Sequence, residues 1–294
     1  MRRIVLAAVA VMLAACGGGG KDDDHPGGGG SDGGGSEQPQ GQVVSFSPSV
    51  SPFQEYDDNG RLQNSSVNRT FGSGDTFALW AVTDGGRPTG SGTTYSYKDG
   101  LLQAVAGGLT TDGRQSAAYY AVTPRTSASA GVMSFTVTAD QSTESRFWAN
   151  DLCTATASAT TDNRVSLSLS HRLCCVCVNF VGDAITGTIS QVRLNGVRLG
   201  AQLGFDGGDD QPTGAASTVL TLQQGQNYYA IVPAQTFAAG SQLAIVTLDG
   251  EDYDVTFDEV VSFEGGMMHY LDITYDGDKP AFVGLTGDIN PWEK

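Results

Sequence analysis

Val165-Ser166-Leu167-Ser168-Leu169 alternates apolar and polar residues without a break. That period of two sends one set of side chains to each face of an extended strand. The rhythm returns in residues 76–82, 117–122, 133–137, 173–181, 189–194, 197–203, 218–222, 228–232, 268–275 and 281–289. Residues 242–248 and 253–257 flank Asp249-Gly250, a pair that supplies the positive φ angles of a tight hairpin turn. No stretch carries a convincing helical stripe. Many short strands separated by turn signals predict an all-β chain built as β-sandwiches.

The N-terminus is of another kind. Arg2 and Arg3 precede the apolar run 4–13, too short to span a bilayer, and small residues follow in Leu13-Ala14-Ala15-Cys16. This describes a secretory signal peptide over 1–15. A cysteine directly after the small pair resembles the lipobox of bacterial lipoproteins, which implies cleavage between Ala15 and Cys16 and lipidation of Cys16. The alternative is an ordinary signal peptide followed by a chance cysteine. Two or more acyl chains hold a protein stably on a membrane, whereas one binds marginally.

Residues 16–42 are dominated by glycine, serine and acidic side chains and read as a flexible tether. A coil of that length spans about 28 Å. Within it, Lys21-Asp22-Asp23-Asp24 resembles the export signal that sends Bacteroidetes-type lipoproteins to the outer face of the outer membrane; the alternative is a solvated charge run. Loss of residues 1–15 removes only Arg2 and Arg3 and takes the net charge from −16 to −18. Such a chain repels nucleic acid and anionic lipid surfaces. The polar stretch 154–163 is the best internal break, so the expected domains are 43–160 and 161–294, one sandwich each.

The order of features along this body resembles the fimbrillin family, lipoprotein precursors of fimbriae in Bacteroidetes-type bacteria. The residues that carry the resemblance are Gly74-Asp75 before Phe77-Ala78-Leu79-Trp80-Ala81, Tyr119-Tyr120 before Pro124, and 165–173 before Val176-Cys177-Val178. Tyr229-Ala230-Ile231-Val232-Pro233-Ala234-Gln235-Thr236, then 248–253, Phe263-Glu264-Gly265-Gly266 and the closing Asp288-Ile289-Asn290-Pro291-Trp292 complete the set. The resemblance runs from Val43 to the C-terminus. It implies two transthyretin-like β-sandwiches, adhesion as the function, and head-to-tail association with other fimbrial subunits by donor-strand exchange. In that mechanism a protease cuts after an arginine, removes the first strand, and the groove takes a strand from the next subunit. Such a contact satisfies unpaired backbone groups and does not close on itself.

Mapped onto this chain, 43–50 is the first strand, with Val44 and Phe46 on one face. Arg69 is the preferred cleavage candidate and Arg61 the second; each reads equally as a solvated loop residue. Residues 281–292 are the candidate donor strand or a resident edge strand. Localisation follows as the outer membrane surface and the fimbrium, with a host or bacterial surface receptor as a further partner. The competing class is a lipoprotein binding module for glycans that does not polymerise. It would need exposed aromatic rings, and the adjacent pairs Tyr119-Tyr120 and Tyr228-Tyr229 put one ring on each face of a strand.

Cys153, Cys174, Cys175 and Cys177 read first as small buried hydrophobes. A disulfide to Cys153 is the alternative in an exported chain, and a four-thiolate zinc site is opposed by the alternation that turns Cys174 away from Cys175 and Cys177. No cofactor or metal is expected. His25 lies in the tether, His171 ends an alternating strand and His269 precedes Tyr270; none sits in a nucleophile motif, so no catalytic residue is assigned. The loop Asp206-Gly207-Gly208-Asp209-Asp210 lacks the spacing of a calcium loop and reads as a solvated turn. If Cys16 is the anchor, Cys16→Ser in the producing bacterium will move the protein from the detergent to the aqueous phase on Triton X-114 separation; unchanged partitioning would exclude it.

Overall fold

Asp249 and Gly250 carry φ values of 49° and 88° in a computed structural model of the chain, the angles that a two-residue primed turn demands. The structure describes residues 41–57, 59–83, 85–111, 118–158, 163–182, 187–205, 210–276 and 279–286. These lie in one compact unit, Pro39–Lys294. Ala15, Cys16 and Lys21 to Asp24 fall outside the described residues.

In chain order the strands are β1 (Ser45–Val50), β2 (Gln54–Tyr56), β3 (Leu62–Asn64), β4 (Thr76–Val82), β5 (Thr93–Lys98), β6 (Leu101–Ala104), β7 (Ala118–Thr123), β8 (Ala128–Ser129) and β9 (Val132–Thr136). A short helix, α1 (Glu144–Ala149), precedes β10 (Cys153–Ser158), β11 (Arg164–His171), β12 (Cys174–Phe180), β13 (Ile189–Gly204), β14 (Gln211–Leu220), β15 (Leu222–Gln224) and β16 (Asn227–Val232). The last are β17 (Gln235–Phe237), β18 (Ser241–Leu248), β19 (Glu251–Phe257), β20 (Val261–Phe263), β21 (Met268–Asp276) and β22 (Lys279–Thr286). The all-β expectation holds.

Hydrogen bonding closes β1-β11-β10-β7-β4-β5-β6 into a barrel. A second sheet runs β15-β16-β12-β21-β22, and a third runs β19-β18-β13-β9-β8 with β14 on β13. The expected boundary near residue 160 falls between β10 and β11, two paired strands of the barrel. Across that boundary, β9 from the N-terminal side also pairs with β13 from the C-terminal side in the third sheet. The Thr/Ala run of β10 looks like a linker because its side chains are small. Its identity as a strand comes from its ladder to β7, Cys153–Thr123 through Ser158–Ala118. Segments 189–194 and 197–203 form one strand, β13, whose pairing with β14 shifts register around Gly196, a residue at φ 73°. Helix α1 is too short to show a period; the Thr143 side chain caps it by accepting from the Arg146 N–H, and Phe147 plugs it into the core.

Three apolar clusters follow from this layering. The barrel interior holds Phe46, Phe77, Leu79, Tyr119 and Leu167. The second and third sheets enclose Val176, Val192, Leu194, Val246 and Leu271. Between the barrel's outer face and the second sheet lie Phe53, Trp80, Met133, Cys175 and Ile231. β4 therefore buries both faces, Phe77 and Leu79 inward and Ala78 and Trp80 outward. β12 does the same, which is why Cys174 to Val178 is one buried run.

A Cβ at Gly250 would meet nothing within 4 Å, so its φ is the only obstacle to a side chain. Gly250→Ala is expected to cost about 1–2 kcal/mol, the left-handed backbone penalty. Urea unfolding would show it as a lower midpoint at an unchanged slope, and an unchanged midpoint would contradict the turn assignment.

Candidate functional site

β1 enters the barrel as a parallel partner of β11, from Ser45–Arg164 to Val50–Leu169. Along its other edge it meets β6 only at Phe46–Leu102 among the described residues. Phe46 is fully buried and meets Tyr95 and Tyr119 edge-on, with ring centroids 5.5 and 5.3 Å away. Val44 is buried beside it. Just before the strand, the Val44 N–H donates to the Leu109 carbonyl at 3.0 Å on that other edge, so the pairing is two-sided up to Phe46 and, among the described residues, is a ladder to β11 alone from Ser47 to Val50.

Beyond Val50 the chain leaves the barrel and plugs a second core. The Ser51 N–H donates to the Leu169 carbonyl at 3.0 Å. Phe53, also fully buried, stacks on the His171 imidazole at 3.6 Å and 10°. The Gln54 N–H donates to the Gly266 carbonyl, and the Tyr270 hydroxyl donates to Glu55 Oε2 at 2.8 Å. Residues 44–55 therefore form a strap that lies on the barrel and then on the second sheet. The strap continues into the β2–β3 hairpin, where Arg61 is exposed. Asp57 Oδ1 accepts from the Asn59 and Arg61 N–H groups at 2.9 and 2.8 Å, and the Arg61 N–H, first among these donors, holds the Asp57 carboxyl below its ordinary range.

Arg69 is placed differently. It is 5% exposed. Its guanidinium donates to the Asp151 carbonyl at 2.8 Å and to Asp75 Oδ1 at 3.3 Å, and it lies 3.8 Å from Asp151 Oδ2. Asp151 Oδ1 is 2.7 Å from His171 Nδ1, and the Cys153 thiol lies 3.4 Å from both that nitrogen and Asp151 Oδ2. Asp151, Cys153 and His171 could together ligate a metal ion, but the Arg69 guanidinium already sits on this carboxylate as its cation. Burial, and then the Asp151 carboxylate, push the Cys153 thiol well above its ordinary range against the pull of Arg69. A buried neutral thiol of that kind is a packing group, not a nucleophile. His171 Nε2 has no hydrogen-bond partner among the described residues.

Residues 64–292 match the Fimbrillin-like family. The chain belongs to that family. Fimbrillin-like proteins are fimbrial and cell-adhesion proteins, generally structural and without enzymatic activity. The fold is similar to a candidate cell adhesion protein of Bacteroides ovatus, with a TM-score of 0.62 at 14% identity over 86% of this chain and 99% of that one. A second, from Bacteroides uniformis, gives 0.58 at 16% identity over 85% and 98%. No curated protein matches the sequence.

In this fimbrillin-like chain all four described cysteines are buried and unpaired. Cys174 faces the core between the second and third sheets, while Cys175 and Cys177 face the core beneath the barrel. The four thiols therefore do not converge. The aromatic pairs behave less simply than alternation predicts. Tyr119 and Tyr228 are buried, but Tyr120 and Tyr229 pack against the core beneath the barrel, Tyr120 edge-on to Phe205 at 5.3 Å. Trp80 is buried and its indole N–H donates to the Thr89 carbonyl. His269 is also buried, which lowers its pKa to about 4 and leaves it neutral, and its Nε2 accepts from the Glu264 N–H. Asp210 pairs with Arg172 at 2.7 Å and accepts from the Gly204 N–H, so it is an ion-pair partner rather than a free turn residue.

Sequence reasoning missed Phe53 and the Arg69–Asp151–His171 network. The signal present for the first is an aromatic ring, Phe53, continuing the apolar positions Val44, Phe46 and Val50 past the end of the strand. Removing one partner of a buried charge network leaves the others uncompensated, at about 3–5 kcal/mol. Arg69→Met should lower stability by that amount in urea unfolding, and Asp151→Asn added to it should recover part. Two costs that simply add would show that the pair is not coupled.

Proposed function

We propose that this protein is a fimbrial structural subunit, exported as a lipoprotein through Cys16 and assembled by donor-strand exchange for adhesion. Its partners on this reading are other fimbrial subunits, the outer membrane through the lipid, and a host or bacterial surface receptor. The observation that carries it is the placement of β1. The strand fills the barrel core through Val44 and Phe46, is laddered to β11 on one side, and is followed by an exposed arginine in a hairpin turn. A cut there would free the strap and leave β11 with unpaired N–H and C=O groups beside an open apolar core. That combination is the template for an added strand.

Arg61 is preferred over Arg69 as the cut. A protease binds its substrate extended, and Arg69 is buried in ion pairs whereas Arg61 is exposed. The donor is the C-terminal segment 281–292, whose first residues belong to β22, an edge strand that among the described residues pairs with β21 alone. Lifting an edge strand breaks one ladder, whereas lifting an inner strand breaks two. The non-polymerising glycan-binding reading needs exposed aromatic rings, and the two tyrosine pairs are engaged in packing.

Limited digestion of the lipid-free Cys16→Ser chain with an arginine-specific protease should give a single early cut at Arg61 and then a ladder of oligomers on an unboiled denaturing gel. Arg61→Ala should abolish both. A cut chain that stays monomeric would remove the polymerising reading.

A further inference from the structure

Exposure of the Arg61 side chain does not make its backbone available. The Arg61 carbonyl accepts from the Asp57 N–H at 2.9 Å, and the Arg61 N–H donates to Asp57 Oδ1 at 2.8 Å. The same carboxylate oxygen takes the Asn59 N–H at 2.9 Å, and the Asp57 carbonyl takes the Gly60 N–H at 2.8 Å. Gly60 turns the chain at φ 68°. One residue therefore holds both polar backbone groups of Arg61, one through its side chain and one through its main chain. Below the turn the ladder continues through Tyr56–Leu62, Glu55–Gln63 and Gln54–Asn64. Its base is fixed, because the Ser65 N–H donates to the Phe53 carbonyl at 2.8 Å and both residues are buried.

The two groups that Asp57 holds are the ones proteolysis needs. Hydrolysis of the Arg61–Leu62 bond adds the hydroxyl of water to the Arg61 carbonyl carbon and the remaining proton to the Leu62 nitrogen. For this the Arg61 carbonyl oxygen must turn to the oxyanion donors of the protease. An extended substrate also pairs its N–H groups with the protease, as an added strand does. Neither happens while Asp57 keeps both groups in the turn. We infer, on the basis of the processing proposed above, that Asp57 latches the β2–β3 hairpin against cleavage, so that local opening of this turn sets the rate of maturation. A two-stranded hairpin is marginally stable by itself, and Arg61 to Asn64 are exposed, so the turn opens without disturbing either core. Where opening and closing are fast relative to cleavage, the rate of cutting follows the open fraction.

The full Cys16→Ser chain, treated with limiting arginine-specific protease and sampled by mass spectrometry, gives the rate of cutting at Arg61. Asp57→Ala should raise that rate about tenfold, the loss of one charge-assisted hydrogen bond. Asp57→Asn keeps an oxygen acceptor and should fall between the two. Gln54→Cys with Asn64→Cys pins the ladder at a pair whose side chains already meet at 2.7 Å. Oxidation of that pair should slow the cut by about tenfold or more, and reduction should restore it. Both arms of this comparison share one sequence, so the subsite preference of the protease cannot produce the difference. Equal rates for Asp57→Ala and the parent, or for the oxidised and reduced chains, would overturn the latch and leave cleavage at Arg61 standing. If oxidation of the 54–64 pair does not blunt the faster cutting of Asp57→Ala, the effect belongs to the protease's preference and the latch is overturned as well. Failure to cut either the parent or Asp57→Ala at Arg61 would remove the processing reading, and the latch with it.

Discussion

The pairing of β1 with β11 is parallel, and a parallel neighbour cannot be delivered by a short hairpin. The chain must bring β1 in from its N-terminal side and then cross the barrel, the helix and β10 before β11 appears. The strand that closes the barrel is therefore held by side chains and one ladder more than by its connections. Phe46 holds it in the barrel and Phe53 holds the chain that follows it under the second sheet. The barrel, the shared core and the hairpin that carries Arg61 all depend on where these two rings sit.

Charge placement separates the two arginines, of which the sequence reading prefers Arg69. Arg69 reaches a carbonyl and a carboxylate of Asp151, together with Asp75, and so ties the chain after β3 to the turn before β10. That network keeps a buried carboxylate matched, with His171 on its other oxygen. Arg61 has no such duty; its N–H is fixed by Asp57 in a turn while its side chain is exposed. Burial thus turns one basic residue into a structural cation and leaves the other accessible.

Much of the fold was legible where one face of a strand is wet or where turn chemistry is strict. Val165 to Leu169 and the Asp249-Gly250 hairpin lie where their patterns place them. β10 was illegible because threonine and alanine carry little hydrophobic signal, and the β5–β6 hairpin passed unnoticed although Asp99-Gly100 turns it with φ values of 51° and 84°. The shared core could not be read, since it is made by residues from the barrel and the second sheet that are far apart in sequence. The same holds for Arg69, whose partner Asp151 lies on another element. β1 was legible as a strand, but its parallel pairing with β11 and the second anchor at Phe53 are properties of topology alone.

Amide hydrogen exchange along β11, before and after cleavage at Arg61 and again in the assembled polymer, tests the central claim most directly. The account predicts that the β11 amides are protected in the intact chain, lose protection when the strap leaves the monomer, and regain it on polymerisation. Protection of β11 that is indifferent to the cut, or that never returns in an assembled fibre, would contradict the role given to β1.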